Sequence, residues 1–353
     1  MKKIITIALV AMLAMVACSA FAEKDISEVR IGVSVGHLTE ERWQREIEMF
    51  RAYADEAGFE LLVQSAEDNQ QTQINQCENL LNQGIDALII QSLDAAACGP
   101  IVDACKESGV PVIAYDRFIM NCDLDYYITF DTVKVGELQA QMVLDRAPTG
   151  NYIWLLGGPE DNNAHLLLEG QTNVLQPSID AGDINVVLQQ WCNNWNPEVA
   201  LEHTENGLSL VENDIQGVIA SNDGTAGGAI QALEAQGLAG IVPIGGQDAD
   251  LAACQRIVEG TQTGTVYKPL AMLNRACIQL AVGLAQGRTA DECIDAELGV
   301  WTKLNNNYKD VDSFSVDVTL ITAENIYDIL IVRDEFHTVE DVYANLPQDQ
   351  WPG

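Results

Sequence analysis

Basic residues are scarce in this sequence. Its 353 residues include 18 lysines and arginines against 52 aspartates and glutamates, which gives a formal net charge of −34. A chain this negative repels nucleic acid and anionic lipid, and its scattered cations form no local basic patch, so neither partner is expected. Hydrophobic residues make up 48% of the chain, which is enough to bury a core and excludes an acidic disordered tail. At this length we expect two domains.

Long apolar runs are absent apart from one at the amino terminus. Residues 4–16 are apolar but too short to span a bilayer, and lysines at positions 2 and 3 precede them. Ala20-Phe21-Ala22 has the small-x-small pattern of a cleavage site, so we predict a secretory signal over residues 1–22 and a periplasmic or other extracytoplasmic location. A cut before Cys18 would instead give a lipoprotein anchored through that residue. The sequence leaves both sites open.

Motifs for metal, redox or phosphate chemistry are also absent. There is no CxxC pair, no zinc-type spacing and no glycine-rich phosphate loop, so neither a metal site nor a cofactor is expected. An even number of cysteines in an oxidising compartment permits disulfides, but many pairings are possible, and eight buried thiols remain an alternative. The cysteines after Cys18 are Cys77, Cys98, Cys105, Cys122, Cys192, Cys254, Cys277 and Cys293.

Short segments rich in valine and isoleucine alternate with segments of helical period, which is typical of parallel βα units. Eleven strands are predicted, at 29–35, 60–64, 87–91, 111–115, 126–130, 152–156, 185–190, 217–220, 242–245, 264–267 and 316–321. The main predicted helices are 40–57, 72–83, 134–146, 198–210 and 270–286. Because one sheet of eleven strands would be very wide, we expect two doubly wound lobes.

Polar residues follow the carboxyl ends of these strands. They are Gln64-Ser65, Gln91-Ser92, Asp116-Arg117, Asp161-Asn162-Asn163, Asn222-Asp223, Gln247-Asp248 and Lys268. Any one of them could be a helix N-cap, but caps do not require cations such as Arg117 and Lys268. Since ligands of open parallel sheets bind outside the carboxyl ends of the strands, two facing lobes would gather these side chains in one cleft.

Tryptophans accompany these loops. Trp43 lies at the start of the first predicted helix, and Trp191 and Trp195 flank the loop after the seventh strand. An indole face covers the C–H face of a sugar ring, while carboxylates, amides and cations hydrogen-bond its hydroxyl groups. The residue types therefore favour a neutral, polyhydroxylated ligand such as a monosaccharide.

Six stretches, in order and at matching spacing within about residues 29–336, resemble the periplasmic sugar-binding proteins of bacterial ABC transporters, and among them those that bind D-xylose. They are Glu41-Arg42-Trp43-Gln44, Ala114-Tyr115-Asp116-Arg117, Asp161-Asn162-Asn163-Ala164, Ser221-Asn222-Asp223, Gly246-Gln247-Asp248-Ala249-Asp250 and Thr265-Val266-Tyr267-Lys268-Pro269. The resemblance implies an α/β, type I periplasmic binding protein fold with two doubly wound parallel-sheet lobes joined by three hinge crossings. It also implies a monomer that captures D-xylose, or D-glucose, and delivers it to the membrane permease of an ABC transporter.

Domain boundaries follow from the same resemblance. It places hinges near 129–132, 267–269 and 313–316. Lobe one is then 27–131 plus 270–312, and lobe two is 132–269 plus 313–337. The C-terminal tail, 338–353, has no counterpart in the resemblance.

The resemblance also assigns the sugar ligands. They are Arg42, Asp116, Arg117, Asp161, Asn163, Asn222, Asp248 and Lys268, with Trp43 and Trp195 sandwiching the ring. Two departures affect the expected site. Gly36-His37 stands where the family has an acidic pair, and His165 stands where it has lysine.

Two other functions fit parts of the pattern. A sugar sensor would dock the same closed form on a chemoreceptor or sensor kinase. A glycoside-processing enzyme would use two carboxylates among Asp116, Asp161 and Asp248, but nearby cations lower carboxyl pKa values and disfavour a protonated general acid. The four histidines, His37, His165, His203 and His337, are too scattered to suggest a catalytic triad, so we assign no catalytic residues. The choice between xylose and glucose stays open.

Overall fold

Thirteen strands form two separate sheets in the computed structural model, which describes residues 23–38 and 41–352. The predicted signal at 1–22, including Cys18, lies outside the described residues. In chain order the strands are β1 Arg30–Val35, β2 Glu60–Ser65, β3 Ala87–Gln91, β4 Val112–Tyr115, β5 Tyr126–Phe130, β6 Gly150–Leu156, β7 Ile184–Trp191, β8 Gly217–Ala220, β9 Ile244–Gln247, β10 Gly264–Tyr267, β11 Val300–Asn305, β12 Asp310–Val316 and β13 Thr319–Ile321.

The sheets define two lobes. The first has the order β11-β12-β5-β4-β3-β1-β2, and the second β13-β10-β9-β8-β6-β7. Neighbouring strands are parallel except for the pairs β11–β12 and β10–β13, which are antiparallel. Strand order that reverses direction around β1 and β6 is typical of doubly wound sheets.

Helices cover both faces of each sheet. They are α1 Glu41–Ala57, α2 Gln70–Asn82, α3 Gly99–Ser108, α4 Thr132–Leu144, α5 Asn162–Ala181, α6 Pro197–Leu210, α7 Asp223–Ala235, α8 Leu251–Glu259, α9 Leu270–Ala285 and α10 Val339–Val342. In the first lobe, α1 and α9 pack on one face, and α2 and α3 pack on the other. No helix among the described residues is long and apolar enough to cross a membrane.

Strand β3 shows why these segments form a two-sided core. Successive side chains of a strand point to opposite faces of the sheet. Ala87 and Ile89 accordingly join the cluster beneath α1 and α9, whereas Leu88 and Ile90 join the cluster beneath α2 and α3. Both faces are covered, so the strand is apolar throughout, as parallel strands buried on two sides are.

The chain passes between the sheets three times, after β5, after β10 and after β12. The predicted strand 316–321 is wrong, because it joins the end of β12 to β13, and these belong to different sheets. Residues 313–316, which were assigned to lobe two, therefore lie in the sheet of lobe one. Strands β11 and β12 were not predicted, since exposed polar residues interrupt their sequences.

The C-terminal tail packs on the second lobe. Val342 and Tyr343 are buried in a cluster with Ile257, Ile326 and Leu330. Trp351 packs against the same cluster, and its indole nitrogen donates to the Leu346 carbonyl oxygen at 3.0 Å. The residues of 338–352 therefore complete the core of that lobe.

The eight cysteines of the described chain are buried, and none forms a disulfide. Cys77, Cys98, Cys105 and Cys122 share one apolar cluster in the first lobe. Burial raises the pKa of the Cys77 thiol to about 11, so this thiol is protonated at neutral pH. Of the two alternatives that the sequence leaves open, the structure has buried thiols.

Candidate functional site

The ten predicted ligand side chains line one cleft between the lobes. The first lobe contributes Arg42, Trp43, Asp116 and Arg117. The second lobe contributes Asp161, Asn163, Trp195, Asn222 and Asp248, while Lys268 follows β10 in a crossing between lobes. The carboxyl ends of both sheets therefore face this cleft, as expected of parallel sheets that bind ligands there.

Helix capping positions two of these side chains. Asp161 is the N-cap of α5 and accepts the Asn163 amide at 2.9 Å. Asn222 is the N-cap of α7 and accepts the Thr225 amide at 2.8 Å in a capping box. Both residues cap a helix and also line the cleft, so the capping interpretation and the ligand interpretation are compatible.

Arg42 lies at the centre of a buried charge cluster. Its Nη2 is 2.8 Å from Glu46 Oε1 and 3.0 Å from Asp116 Oδ1, and its Nη1 is 3.4 Å from Asp248 Oδ1. Burial alone would lower the pKa of Arg42, but Asp116, Glu46 and Asp248 outweigh it and raise that pKa. The guanidinium therefore stays charged and links three carboxylates from both lobes.

Asp116 adopts the left-handed backbone region, with φ 62°. Its carbonyl oxygen accepts the Tyr127 hydroxyl at 2.7 Å and Asn163 Nδ2 at 2.9 Å. Burial alone would raise the pKa of Asp116, but the charges of Arg42, Lys268 and Arg117 bring it below its ordinary value. Asp116 is therefore a carboxylate at neutral pH, held by hydrogen bonds from both lobes.

Two further ion pairs complete the polar lining. Arg117 Nε lies 3.0 Å from Asp161 Oδ2 across the cleft, and Lys268 Nζ lies 2.6 Å from Asp248 Oδ1. His37, one of the departures from the family pattern, is buried with Nε2 3.3 Å from Arg117 Nη2. His37 therefore places a ring nitrogen beside Arg117, in the segment where the family has an acidic pair.

The tryptophans differ in position. The Trp43 ring lies 4.2 Å from the Arg42 guanidinium carbon and 5.6 Å from that of Arg117. Trp195 ends a short 3-10 turn, and its buried Nε1 has no hydrogen-bond acceptor among the described residues. Trp191 is not part of the cleft lining; its ring lies 4.8 Å from that of His165, the second departure.

Four residues of the lining were not assigned as ligands from the sequence. They are Phe130, Thr132, Val135 and Gln247. Phe130 and Val135 are apolar, and apolar residues next to a strand are far more often part of the core. Their position beside the crossing after β5 is the signal that could have identified them. Within the described residues, no group of histidine, cysteine, aspartate or glutamate side chains is arranged to hold a metal ion.

The sequence matches the family described as "Periplasmic binding protein domain" over residues 31–289, and the chain belongs to this family of solute-binding proteins. It is 46% identical over 310 residues to the D-xylose-binding periplasmic protein of Escherichia coli K12, covering 88% of this chain and 91% of the relative. It is 44% identical over 316 residues to the protein of the same name from Haemophilus influenzae, covering 90% and 92%.

Solved structures agree with the fold. A carbohydrate transporter solute-binding protein from Chloroflexus aurantiacus, in complex with D-glucose, superimposes with a TM-score of 0.82 at 30% identity. The match covers 89% of this chain and 98% of that one. The prediction of a type I periplasmic binding protein fold with two parallel-sheet lobes is confirmed.

Proposed function

We propose that this protein captures a monosaccharide, D-xylose or the related D-glucose, between its lobes in the periplasm and delivers it to the permease of an ABC transporter. The observation that carries the proposal is the convergence of two indoles, three carboxylates, three amides and three cations on one cleft. The names of the relatives from E. coli and H. influenzae support D-xylose. The D-glucose complex of the Chloroflexus protein supports a hexose as the alternative.

The charge balance of the cleft favours a neutral ligand. Arg42, Arg117 and Lys268 carry three positive charges, and the lining includes three aspartates, Asp116, Asp161 and Asp248. A phosphorylated sugar or a sugar acid would add unbalanced negative charge to a buried site, which is costly. Hydroxyl groups both donate and accept hydrogen bonds, so they suit a lining that offers cationic donors beside carboxylate acceptors.

The indole of Trp195 adds a donor that the protein leaves available. A buried donor without an acceptor costs free energy, and such groups are rare in native proteins. Trp195 Nε1 is one of these groups in the described chain. A ring oxygen or hydroxyl of a bound sugar would supply the missing acceptor.

Binding is coupled to closure of the lobes. Polar side chains of both lobes line the cleft, and pairs such as Arg117 with Asp161 join them. A sugar that contacts both lobes interacts with the closed conformation more strongly than with the open one, and so shifts the population toward closure. The closed form is then the state that the permease recognises.

A sensor and an enzyme are the alternative functions. A chemoreceptor or sensor kinase would recognise the same closed form, so sugar binding itself is common to both roles. A glycosidase needs a carboxylic acid that is protonated near neutral pH. The pKa of Asp116 is displaced in the opposite direction, which argues against that carboxyl as the general acid.

Titration calorimetry with D-xylose and D-glucose tests the proposal. Asp248→Ala, Asn222→Ala and Arg117→Ala should each weaken binding about tenfold or more, because each leaves buried partners unpaired. Arg275→Ala is the control, since its pair with Asp295 is half exposed and neither residue lines the cleft. Unchanged affinity in all three cleft variants would contradict the assignment. Turnover of aryl glycosides would favour the enzyme instead.

A further inference from the structure

The turn that carries Asp248 has an unusual backbone. Asp248 and Ala249 both adopt positive φ, at 100° and 54°. Non-glycine residues in such conformations are strained and persist only where the surroundings hold them. Because Asp248 pairs with both Lys268 and Arg42, the shape of this turn decides where its carboxylate lies in the cleft.

Hydrogen bonds behind the turn lead to one buried carboxylate. The Ala249 amide donates to Thr265 Oγ1 at 3.2 Å, and that hydroxyl donates to Asp223 Oδ2 at 2.8 Å. The Asp250 amide donates directly to the same Oδ2 at 3.1 Å. Asp223 therefore holds the turn both directly and through Thr265.

Asp223 is packed away from the cleft. It is buried at the start of α7, next to Asn222, and it is not part of the cleft lining. Its Oδ1 accepts Gln262 Nε2 at 2.8 Å, and a Cβ added at Gly246 would lie 2.3 Å from that oxygen. Its side chain thus accepts hydrogen bonds from three donors, and the close packing at Gly246 leaves its Oδ1 no space for a sugar hydroxyl.

We propose that Asp223 is a positioning residue for sugar binding, and that its carboxylate, through Thr265 and the Asp250 amide, holds the turn that presents Asp248. Loss of the carboxylate, by substitution or by protonation, then weakens sugar binding although Asp223 does not touch the sugar. The inference rests on the proposed function and adds to its site a residue that supports Asp248 without contacting the sugar.

Protonation of Asp223 occurs in an accessible pH range. Burial raises the pKa of Asp223 to about 7, with a further contribution from the negative charge of Asp248, while Arg256 opposes the rise. Arg256 faces it from α8, with Nη2 3.0 Å from the Asp223 carbonyl oxygen. The nearby cations Arg42 and Lys268 both pair with Asp248. The Asp223 carboxylate accepts hydrogen bonds from three donors. When it is protonated, one of its oxygens carries a hydrogen that points at a donor, so one of these hydrogen bonds is lost.

Asp248 and Asp250 are titratable groups of the turn itself, and His337 is a further one that contacts it. Its Nε2 lies 2.8 Å from the Ala249 carbonyl oxygen. A protonated imidazole carries a hydrogen on both nitrogens, so Nε2 still donates when the ring is charged. The loss of a turn contact at low pH is therefore attributed to Asp223 and not to His337.

The test measures D-xylose affinity by calorimetry between pH 6 and pH 8. Wild-type affinity should fall about tenfold as the pH is lowered from 8 to 6, as expected for a single group that becomes protonated near the middle of this range. Asp223→Asn should bind about tenfold more weakly at pH 8 and show a flat profile. Thr265→Val should also bind weakly, whereas Thr265→Ser, which keeps the hydroxyl, should restore binding. Asp125→Asn is the matched control, because Asp125 Oδ2 accepts the Val112 amide at the opposite end of the first sheet.

Amide hydrogen exchange without sugar provides a second readout. The Ala249 and Asp250 amides should exchange at least tenfold faster in Asp223→Asn and Thr265→Val than in wild type or Asp125→Asn. Unchanged exchange together with unchanged affinity would overturn the inference. If the wild type bound no aldose, the proposed function would fail, and the exchange data would still decide the role of Asp223. If Asp223→Asn does not fold, the comparison of Thr265→Val with Thr265→Ser tests the inference.

Discussion

Arg42 of the first lobe and Asp248 of the second lobe meet across the cleft, with Nη1 and Oδ1 3.4 Å apart. Each of these charges also has a closer partner on its own side. Arg42 lies 2.8 Å from Glu46, and Asp248 lies 2.6 Å from Lys268. Neither charge is therefore left alone when the lobes separate, so the contact can break and form again at little electrostatic cost.

Arg42→Gln should destabilise the first lobe strongly. The substitution leaves the buried carboxylates of Glu46 and Asp116 without their cation, and breaking a buried ion pair costs about 3–5 kcal/mol. Urea denaturation measures the free energy of unfolding. Arg275→Gln is the control, since its half-exposed pair with Asp295 should contribute about 0–1 kcal/mol. Equal losses in the two variants would refute the importance of the buried cluster.

The same cluster should affect stability in acid. The charges of Arg42, Lys268 and Arg117 outweigh burial and hold the pKa of Asp116 below its ordinary value. Its stabilising contribution is then complete above the unfolded pKa, about 4, and is lost as the pH falls through the lower folded value. Urea curves between pH 5 and pH 2.5 should show this decline in the wild type. A decline just as steep in Arg42→Gln would show that it comes from other groups.

Gly157→Ala should impair sugar binding through Trp195. A Cβ at position 157 would lie 2.3 Å from Trp195 Cη2, so the indole must move. We expect D-xylose affinity to fall about tenfold, as measured by calorimetry, with a change in intrinsic tryptophan fluorescence. Gly99→Ala is the control, because its nearest neighbour would be 3.8 Å away. Wild-type affinity in Gly157→Ala would mean that the position of the Trp195 ring is unimportant for binding.

The acidic surface should make stability depend on salt. If the predicted signal is removed, 16 of the 18 basic residues remain, and three of these, Arg42, Arg117 and Lys268, are buried in the cleft. The cleft also buries Asp116, Asp161 and Asp248, so the outer surface keeps nearly all of the net negative charge of the chain. Screening shortens the range of this self-repulsion, so the melting temperature should rise from low salt to molar NaCl. A constant or falling melting temperature would contradict this expectation.

Most strands were predictable from the sequence, including the edge strands β2 and β7, but the β11–β12 pair was not. Strands β3, β5, β8 and β10 have the predicted bounds, because each is a short, largely apolar segment bounded by residues typical of turns. The β11–β12 pair lies at the edge of its sheet, where many of its residues are exposed. Its sequence therefore lacks the continuous apolar run that identified the other strands.

The cleft was predictable where its chemistry is polar. Cations, carboxylates and tryptophans after strand ends are unusual enough in their combination to stand out, whereas Phe130 and Val135 cannot be told from core residues. Asp223 was noted only as the neighbour of Asn222. Its contacts are with Thr265 and the Asp250 amide, and a pattern of adjacent residues does not reveal contacts between distant ones.

The late position of β12 affects the order in which the chain can fold as it is made. Strands β1 to β5 are complete at residue 130, but β12, which covers β5, ends at residue 316, after five of the six strands of the second sheet. Until then, the edge of Tyr126–Phe130 lacks a neighbour and is open to pairing with other chains. A ribosome must therefore synthesise about nine-tenths of this protein before β12 can pair with β5 and complete the sheet of the first lobe.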